Sequence, residues 1–268
     1  MDLRDILLVS DMDGTLLNPD HKIFDENVSA VSRFVADGGC FTLATGREWH
    51  ALDEYAPLLP LHLPLILVNG AQIYDPVSDQ VIMKQVLSGI AAELILDMAQ
   101  QFPHLGMIAV SDGGALIMRE PENRDTMPFF YQPYPVANTR ELPDDVYKVL
   151  FVGALDDLSA PRELIDRHHQ DSLSATCSYP TLLDIMSAGV SKGNALKMLP
   201  QLMDPICIQN KKIVVVGDQE NDIEMFKVSD YAFAMGQASD HVKAAANEVL
   251  PPSGEPFMEV LLRRVSQL

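Results

Sequence analysis

The chain has 268 residues, 47% of them hydrophobic, which is enough for one large domain or two ordinary ones around a sizeable core. Its 19 Lys and Arg against 38 Asp and Glu leave a net charge of −19. Such acidity repels phosphate backbones and anionic lipid, which argues against non-specific nucleic-acid binding and a peripheral membrane role.

The N-terminus carries Asp2 and Asp5 where a signal peptide has bases, and the apolar run Ile6 to Val9 is too short for a leader or a span. That run opens the first expected strand, Ile6 to Ser10. A helix follows over about 25–37, with Val28, Val31, Phe34 and Val35 on one face and Gly38-Gly39 as its stop. Cys40 to Ala44 and Leu65 to Val68 read as the second and third strands. Gln72 to Tyr74 and Val81 to Lys84 read as a hairpin, and 89–101 as a helix. Met107 to Val110 and Ala115 to Met118 pair across Asp112-Gly113-Gly114. After a Pro-rich stretch come a strand at Val149 to Val152, a helix at about 160–169, and strands at Ser174 to Cys177 and Leu182 to Met186. A helix over about 191–203 leads back to apolar strands at Ile213 to Val216 and Tyr231 to Met235.

The outer parts alternate strand and helix, the pattern of a doubly wound α/β fold with a parallel sheet. The middle part has hairpins instead, the pattern of an inserted α+β domain. The expected division is a core of 1–84 with 189–268 and an insert of 85–188. The insert carries −9 and the remainder −10, so the acidity belongs to neither part alone. The three cysteines, Cys40, Cys177 and Cys207, form no close-spaced pair and read as reduced thiols of a cytoplasmic protein.

Four of the outer strands end in small polar clusters: Asp11-Met12-Asp13-Gly14-Thr15, Thr45-Gly46-Arg47, Asn69-Gly70, and Gly217-Asp218 with Asn221-Asp222. In a parallel sheet these ends share one edge, where ligands of open α/β folds bind. Asp11, Asp13, Asp218 and Asp222 would repel one another there unless a hard divalent cation balanced them, and a carboxylate set favours Mg²⁺. The glycines admit backbone N–H groups to an anion, Thr45 adds a hydroxyl, and Lys192 adds a positive charge at a helix start. These are the parts of a phosphoryl-transfer site in which an Asp can itself be the nucleophile.

Asp11-Met12-Asp13-Gly14-Thr15-Leu16, Thr45-Gly46-Arg47, Lys192 and Gly217-Asp218-Gln219-Glu220-Asn221-Asp222 closely resemble the four motifs of the haloacid dehalogenase superfamily. The position of the insert, between the second and third motifs, resembles the Cof-type branch with a class IIB cap. The segment Asp184 to Val190 departs from relatives that place a Pro near Ser187, which concerns the hinge. The resemblance implies a phosphatase acting on small phosphorylated metabolites, sugar phosphates first, through an aspartyl-phosphate. Asp11 would be nucleophile and Mg²⁺ ligand. Asp13 would be general acid and then base, with its backbone carbonyl on the metal. Asp218 would be a further ligand, and Asp222 either a ligand or the holder of a metal-bound water. The Met12 N–H, Thr45, the Gly46 backbone, Lys192 and Asn221 would hold the phosphate, and Thr15 would support the loop. Arg47 would reach the substrate or brace the loop, and Asn69 would shape the crevice mouth. The insert would act as a lid that sets specificity. A phosphomutase and a phospho-accepting signalling module are the rival readings, the first needing cations in the insert. A monomer or weak dimer is the expected state.

Overall fold

The computed structural model describes residues 2–128, 131–132, 134–137, 139–202 and 211–268. Met203, at the end of an expected helix, and Cys207 lie outside the described residues. The chain forms two compact units, Met1–Met83 with Ser191–Leu268, and Lys84–Val190.

The first unit is built on a five-stranded parallel sheet. Its strands are β1 (Ile6–Ser10), β2 (Cys40–Leu43), β11 (Lys212–Gly217), β12 (Tyr231–Ala234) and β13 (Glu248–Val249), in the order β13-β12-β11-β1-β2. Every residue of β1 is buried, as a strand covered on both faces requires. The sheet changes direction of growth between β1 and β11, whose register runs from Ile6 opposite Lys212 to Ser10 opposite Val216. Leu7, Val9, Val215 and Ala232 pack with Leu196 and Leu199 of α4 (Lys192–Leu202) and Met225 and Phe226 of α5 (Ile223–Val228). The helix α1 (Asp25–Ala36) turns Ala30, Val31 and Phe34 inward, leaving Val28 and Val35 at its margin. Asn27, not part of the expected apolar face, is buried. Its Oδ1 accepts the backbone N–H groups of Phe257 and Met258, both at 3.0 Å, and so caps α7 (Met258–Gln267).

The third expected strand behaves differently. β3 (Leu65–Leu67) pairs antiparallel with β4 (Gln72–Asp75), which β5 (Gln80–Lys84) follows, and among the described residues a single parallel bridge, Ala44 to Ile66, joins it to the main sheet. Val68, expected in the strand, has left it at φ +51°, followed by Asn69 at +56° and Gly70 at +96°. A β-branched residue in this region is strained by about 1–3 kcal/mol. The turn is held by Val68 N–H donating to Arg47 O at 3.0 Å and Asn69 N–H donating to Thr45 O at 2.9 Å.

The second unit is an antiparallel sheet of β6 (Gly106–Ser111), β7 (Gly114–Arg119), β8 (Lys148–Val152), β9 (Leu173–Tyr179) and β10 (Leu182–Ser187), in the order β7-β6-β8-β10-β9. α2 (Gly89–Gln101) and α3 (Leu155–Leu164) cover one face through Ile95, Met98 and Leu158. The helix expected from residue 160 begins at Leu155 instead, and a wider turn carries it on to His169. Leu158 and Ile165, both in the core and seven residues apart, hold it across Pro161. Among the described residues, no helix is long and apolar enough to cross a membrane.

Candidate active site

The polar clusters gather at the C-terminal edge of the main sheet, around the β1–β11 switch point. Asp11 leaves β1 with its N–H donating to Val216 O at 2.9 Å, and Asp218 follows directly on β11. The chain can turn so tightly after Asp11 because Gly14 has φ +76°, and a Cβ there would strike the Asp218 carboxylate. Carboxylate oxygens of Asp11, Asp218 and Asp222 lie within 4.8 Å of one another, and all three residues are buried.

One cation stands among them. Lys192, fully buried at the first turn of α4, places Nζ 2.5 Å from Asp11 Oδ1 and 2.7 Å from Asp222 Oδ1. The other oxygen of Asp222 accepts the N–H groups of Asp218 at 2.8 Å and Gln219 at 3.0 Å. Both Asp222 oxygens are thus committed to bracing Lys192 and the loop after β11. Asp218 Oδ1 accepts the Thr15 hydroxyl at 3.1 Å, and its Oδ2 accepts side-chain amides of Gln219 at 3.2 Å and Gln237 at 3.4 Å.

Burial in a low-dielectric site pushes the Asp11 carboxyl well above the usual carboxylate range, and Asp222 and Asp218 push the same way against Lys192. Burial likewise pushes Asp218 to about 7, with Asp222 adding to it and Thr15 and Lys192 opposing. For Lys192, burial alone would lower the ammonium; Asp11 and Asp222 outweigh it and hold the group charged above its ordinary range. Three carboxylates against one ammonium leave an excess of negative charge where water cannot screen it. An all-oxygen donor set with that excess fits a hard divalent cation.

The remaining expected residues flank this cluster. Thr45 is buried, and its hydroxyl accepts Arg47 N–H at 3.2 Å. Asn221 donates Nδ2 to Asn69 Oδ1 at 3.0 Å, while Asn221 Oδ1 is buried without a hydrogen-bond partner among the described residues. A buried polar atom left this way beside the acidic cluster fits a site that takes a ligand or water. A Cβ on Gly46 would press on Asn69 Oδ1, so a glycine lets the two turns approach. The Asp13 carboxylate stays apart from the acidic cluster and is gripped by Arg47, Nε to Oδ2 at 2.7 Å and Nη2 to Oδ1 at 2.6 Å. Gln237 was not foreseen: its amide donates to Gly14 O and Asp218 Oδ2 and accepts from Ser253 N–H at 3.0 Å. It follows β12, and the rule that strand ends carry the site could have found it. Trp49 stacks on Tyr74 with ring centroids 4.2 Å apart.

A doubly wound sheet with a buried carboxylate–lysine cluster at its switch point gives an α/β protein with an acidic centre. The chain belongs to the haloacid dehalogenase-like hydrolase family, whose model matches residues 8–255, and within it to the Cof type. It is 28% identical to pyridoxal phosphate phosphatase YbhA of Escherichia coli, over 91% of this chain and 92% of that one. It is 29% identical to 5-amino-6-(5-phospho-D-ribitylamino)uracil phosphatase YwtE of Bacillus subtilis, again over 91% and 92%. Its fold matches that of the subclass IIB sugar phosphatase BT4131 with a TM-score of 0.78 at 20% identity, covering 98% of this chain and 100% of that one.

Proposed function

We propose that this enzyme is a Mg²⁺-dependent phosphatase of small phosphorylated metabolites, sugar phosphates first, working through an aspartyl-phosphate on Asp11. The observation that carries the reading is the buried set of Asp11, Asp218 and Asp222 around Lys192. Asp11, Asp218 and the Asp13 backbone carbonyl would hold the cation, with Asp222 beside them. When bound, the cation supplies positive charge against phosphate oxygens and keeps Asp11 ionised.

The residues of the chain do the rest. Lys192 neutralises part of the carboxylate charge, and with Thr45, Asn221 and the Met12 and Gly46 N–H groups forms the cradle for the transferring group. An Asp11 oxygen forms its bond to phosphorus as the bond to the leaving oxygen breaks. The electron pair goes to that oxygen, which takes a proton from Asp13. Asp13, now a carboxylate, then takes a proton from water as the water oxygen attacks phosphorus and Asp11 leaves. Thr15 and Gln237 hold Asp218 and the Gly14 turn.

A mutase needs free cations in the insert for a second phosphate. Of the insert's six cations, Arg119 is spent on the carbonyls of Ala99, Phe102 and Leu105, Lys148 on Asp184, and Arg124, Arg162 and Arg167 pair with neighbouring acids, which leaves exposed Arg140 as the one without an ion pair among the described residues, a thin supply for a second phosphate. The phosphatase reading is tested by phosphate release over sugar phosphates, nucleotides, pyridoxal phosphate and flavin mononucleotide. Turnover with Mg²⁺, abolished in folded Asp11→Asn, is the expected result. Turnover that survives the substitution would overturn the reading.

A further inference from the structure

We propose that Arg47 is a positioning residue for Asp13, setting the carboxyl that hands its proton to the leaving oxygen, and does not itself hold the substrate. The inference rests on the phosphatase reading and deepens it. The Asp13 side chain is 37% exposed on a turn, and its two side-chain hydrogen bonds both come from Arg47. The Arg47 fork takes one lone pair on each carboxylate oxygen, at 2.6 and 2.7 Å. A carboxylate offers about four such sites, so the outer one on each oxygen stays open for the travelling proton.

Arg47 is itself held at several points. Its Nη1 donates to Ala51 O at 3.2 Å, and its guanidinium lies over the Tyr55 ring, 5.2 Å from the centroid. Its N–H is bound to Thr45 Oγ1 and its carbonyl to Val68 N–H, so the arm is anchored to the same turns that form the phosphate cradle. The fork, one Nη1 N–H and the ring face are engaged, so three of the five guanidinium N–H groups are already committed within the protein. His21, the other basic side chain near Asp13, has Nδ1 at 3.9 Å from Oδ1, beyond hydrogen-bond reach. Tyr55 donates to His21 O at 3.0 Å and so braces that side too.

The test uses Arg47→Ala and Arg47→Lys on aryl phosphates of similar size, from phenyl phosphate, whose leaving oxygen needs a proton, to 2,4-dinitrophenyl phosphate, whose leaving oxygen does not. Misplacing a general acid costs about 100-fold, so Arg47→Ala should lose about that in kcat/KM on phenyl phosphate and less than about threefold on the dinitrophenyl ester. The inhibition constant of inorganic phosphate should stay within about twofold, and added guanidinium should restore part of the phenyl phosphate rate. Arg47→Lys keeps the charge without the fork and should show the same leaving-group pattern more weakly, which covers an alanine variant that fails to fold. Equal losses on both esters, or weakened phosphate inhibition, would overturn the proposal and leave the phosphatase reading standing. Wild-type enzyme inactive on every ester would overturn the phosphatase reading itself, and the proposal with it.

Discussion

Binding of Mg²⁺ to this site should expel a proton, because burial raises the Asp218 carboxyl from 3.8 to about 7. The shift of roughly three units is worth about 4 kcal/mol between the charged and neutral forms. Without metal, Asp218 in the folded protein is about 90% protonated at pH 6 and about 10% at pH 8. Calorimetric titration with Mg²⁺ in two buffers of different ionisation enthalpy, neither of them phosphate, counts the protons released. The count should fall by about 0.8 per site between pH 6 and pH 8, and the apparent affinity should weaken about fivefold from pH 7 to pH 6. Asp11, also raised, adds release in the same direction. The same linkage acts on stability. An acid whose folded pKa lies above its unfolded one is penalised once it ionises, so the metal-free protein should lose stability as pH rises from about 4 to about 7, and Mg²⁺ should return it. Proton release that is equal at pH 6 and pH 8, or absent, would refute the reasoning.

Three further outcomes follow from the same geometry. Lys192→Met leaves buried carboxylates without their ammonium and should cost about 3–5 kcal/mol in urea unfolding of the metal-free protein, with part of the loss recovered on adding Mg²⁺. Gly14→Ala forces a side chain into φ +76° and onto the Asp218 carboxylate, so it should abolish the Mg²⁺-induced rise in Tm while the far-UV circular dichroism stays native. Asn27→Ala removes the acceptor for two buried N–H groups of Phe257 and Met258, and should lower stability by about 1–3 kcal/mol with kcat/KM unchanged.

The core site was legible because its chemistry is carried by residue type at strand ends. Asp11 and Asp218 each follow a strand with an apolar run, Ile6–Val9 and Ile213–Val216, and a parallel sheet leaves no other place for those ends to go. Contacts that depend on rotamers and on loops folding back were not legible. Arg47 meets Asp13 across 34 positions, and no spacing rule encodes which way a guanidinium turns. Gln237 is a neutral amide with no motif around it, and only its place after β12 connects it to Asp218. Val68 misled for a related reason. Its β-branched side chain belongs to a strand, yet the carbonyls of Thr45 and Arg47 capture the backbone N–H groups of Asn69 and Val68 and turn the chain there. Asn27, a polar residue inside an apolar helix face, is explained only by a helix end some 230 residues away.

The charge inside the site resolves into two parts once the hydrogen bonds are assigned. Asp222 has one oxygen on Lys192, which it shares with Asp11, and the other on backbone N–H groups, so both its oxygens are bonded, and one ammonium offsets one of the three carboxylates. What remains is two negative charges, and Asp11 and Asp218 are the two acids that burial pushes up. Two protons or one divalent cation would neutralise them. A monovalent cation would leave one charge buried, at a cost of several kcal/mol. The same count bears on the substrate. In a chain of net charge −19 a phosphate dianion meets a repulsive field at long range, and Lys192 alone, already shared by two carboxylates, cannot reverse it. On the phosphatase reading, attraction of the anion and balance of the aspartates would fall to the same divalent cation, which would make metal and phosphate mutually dependent ligands of one site.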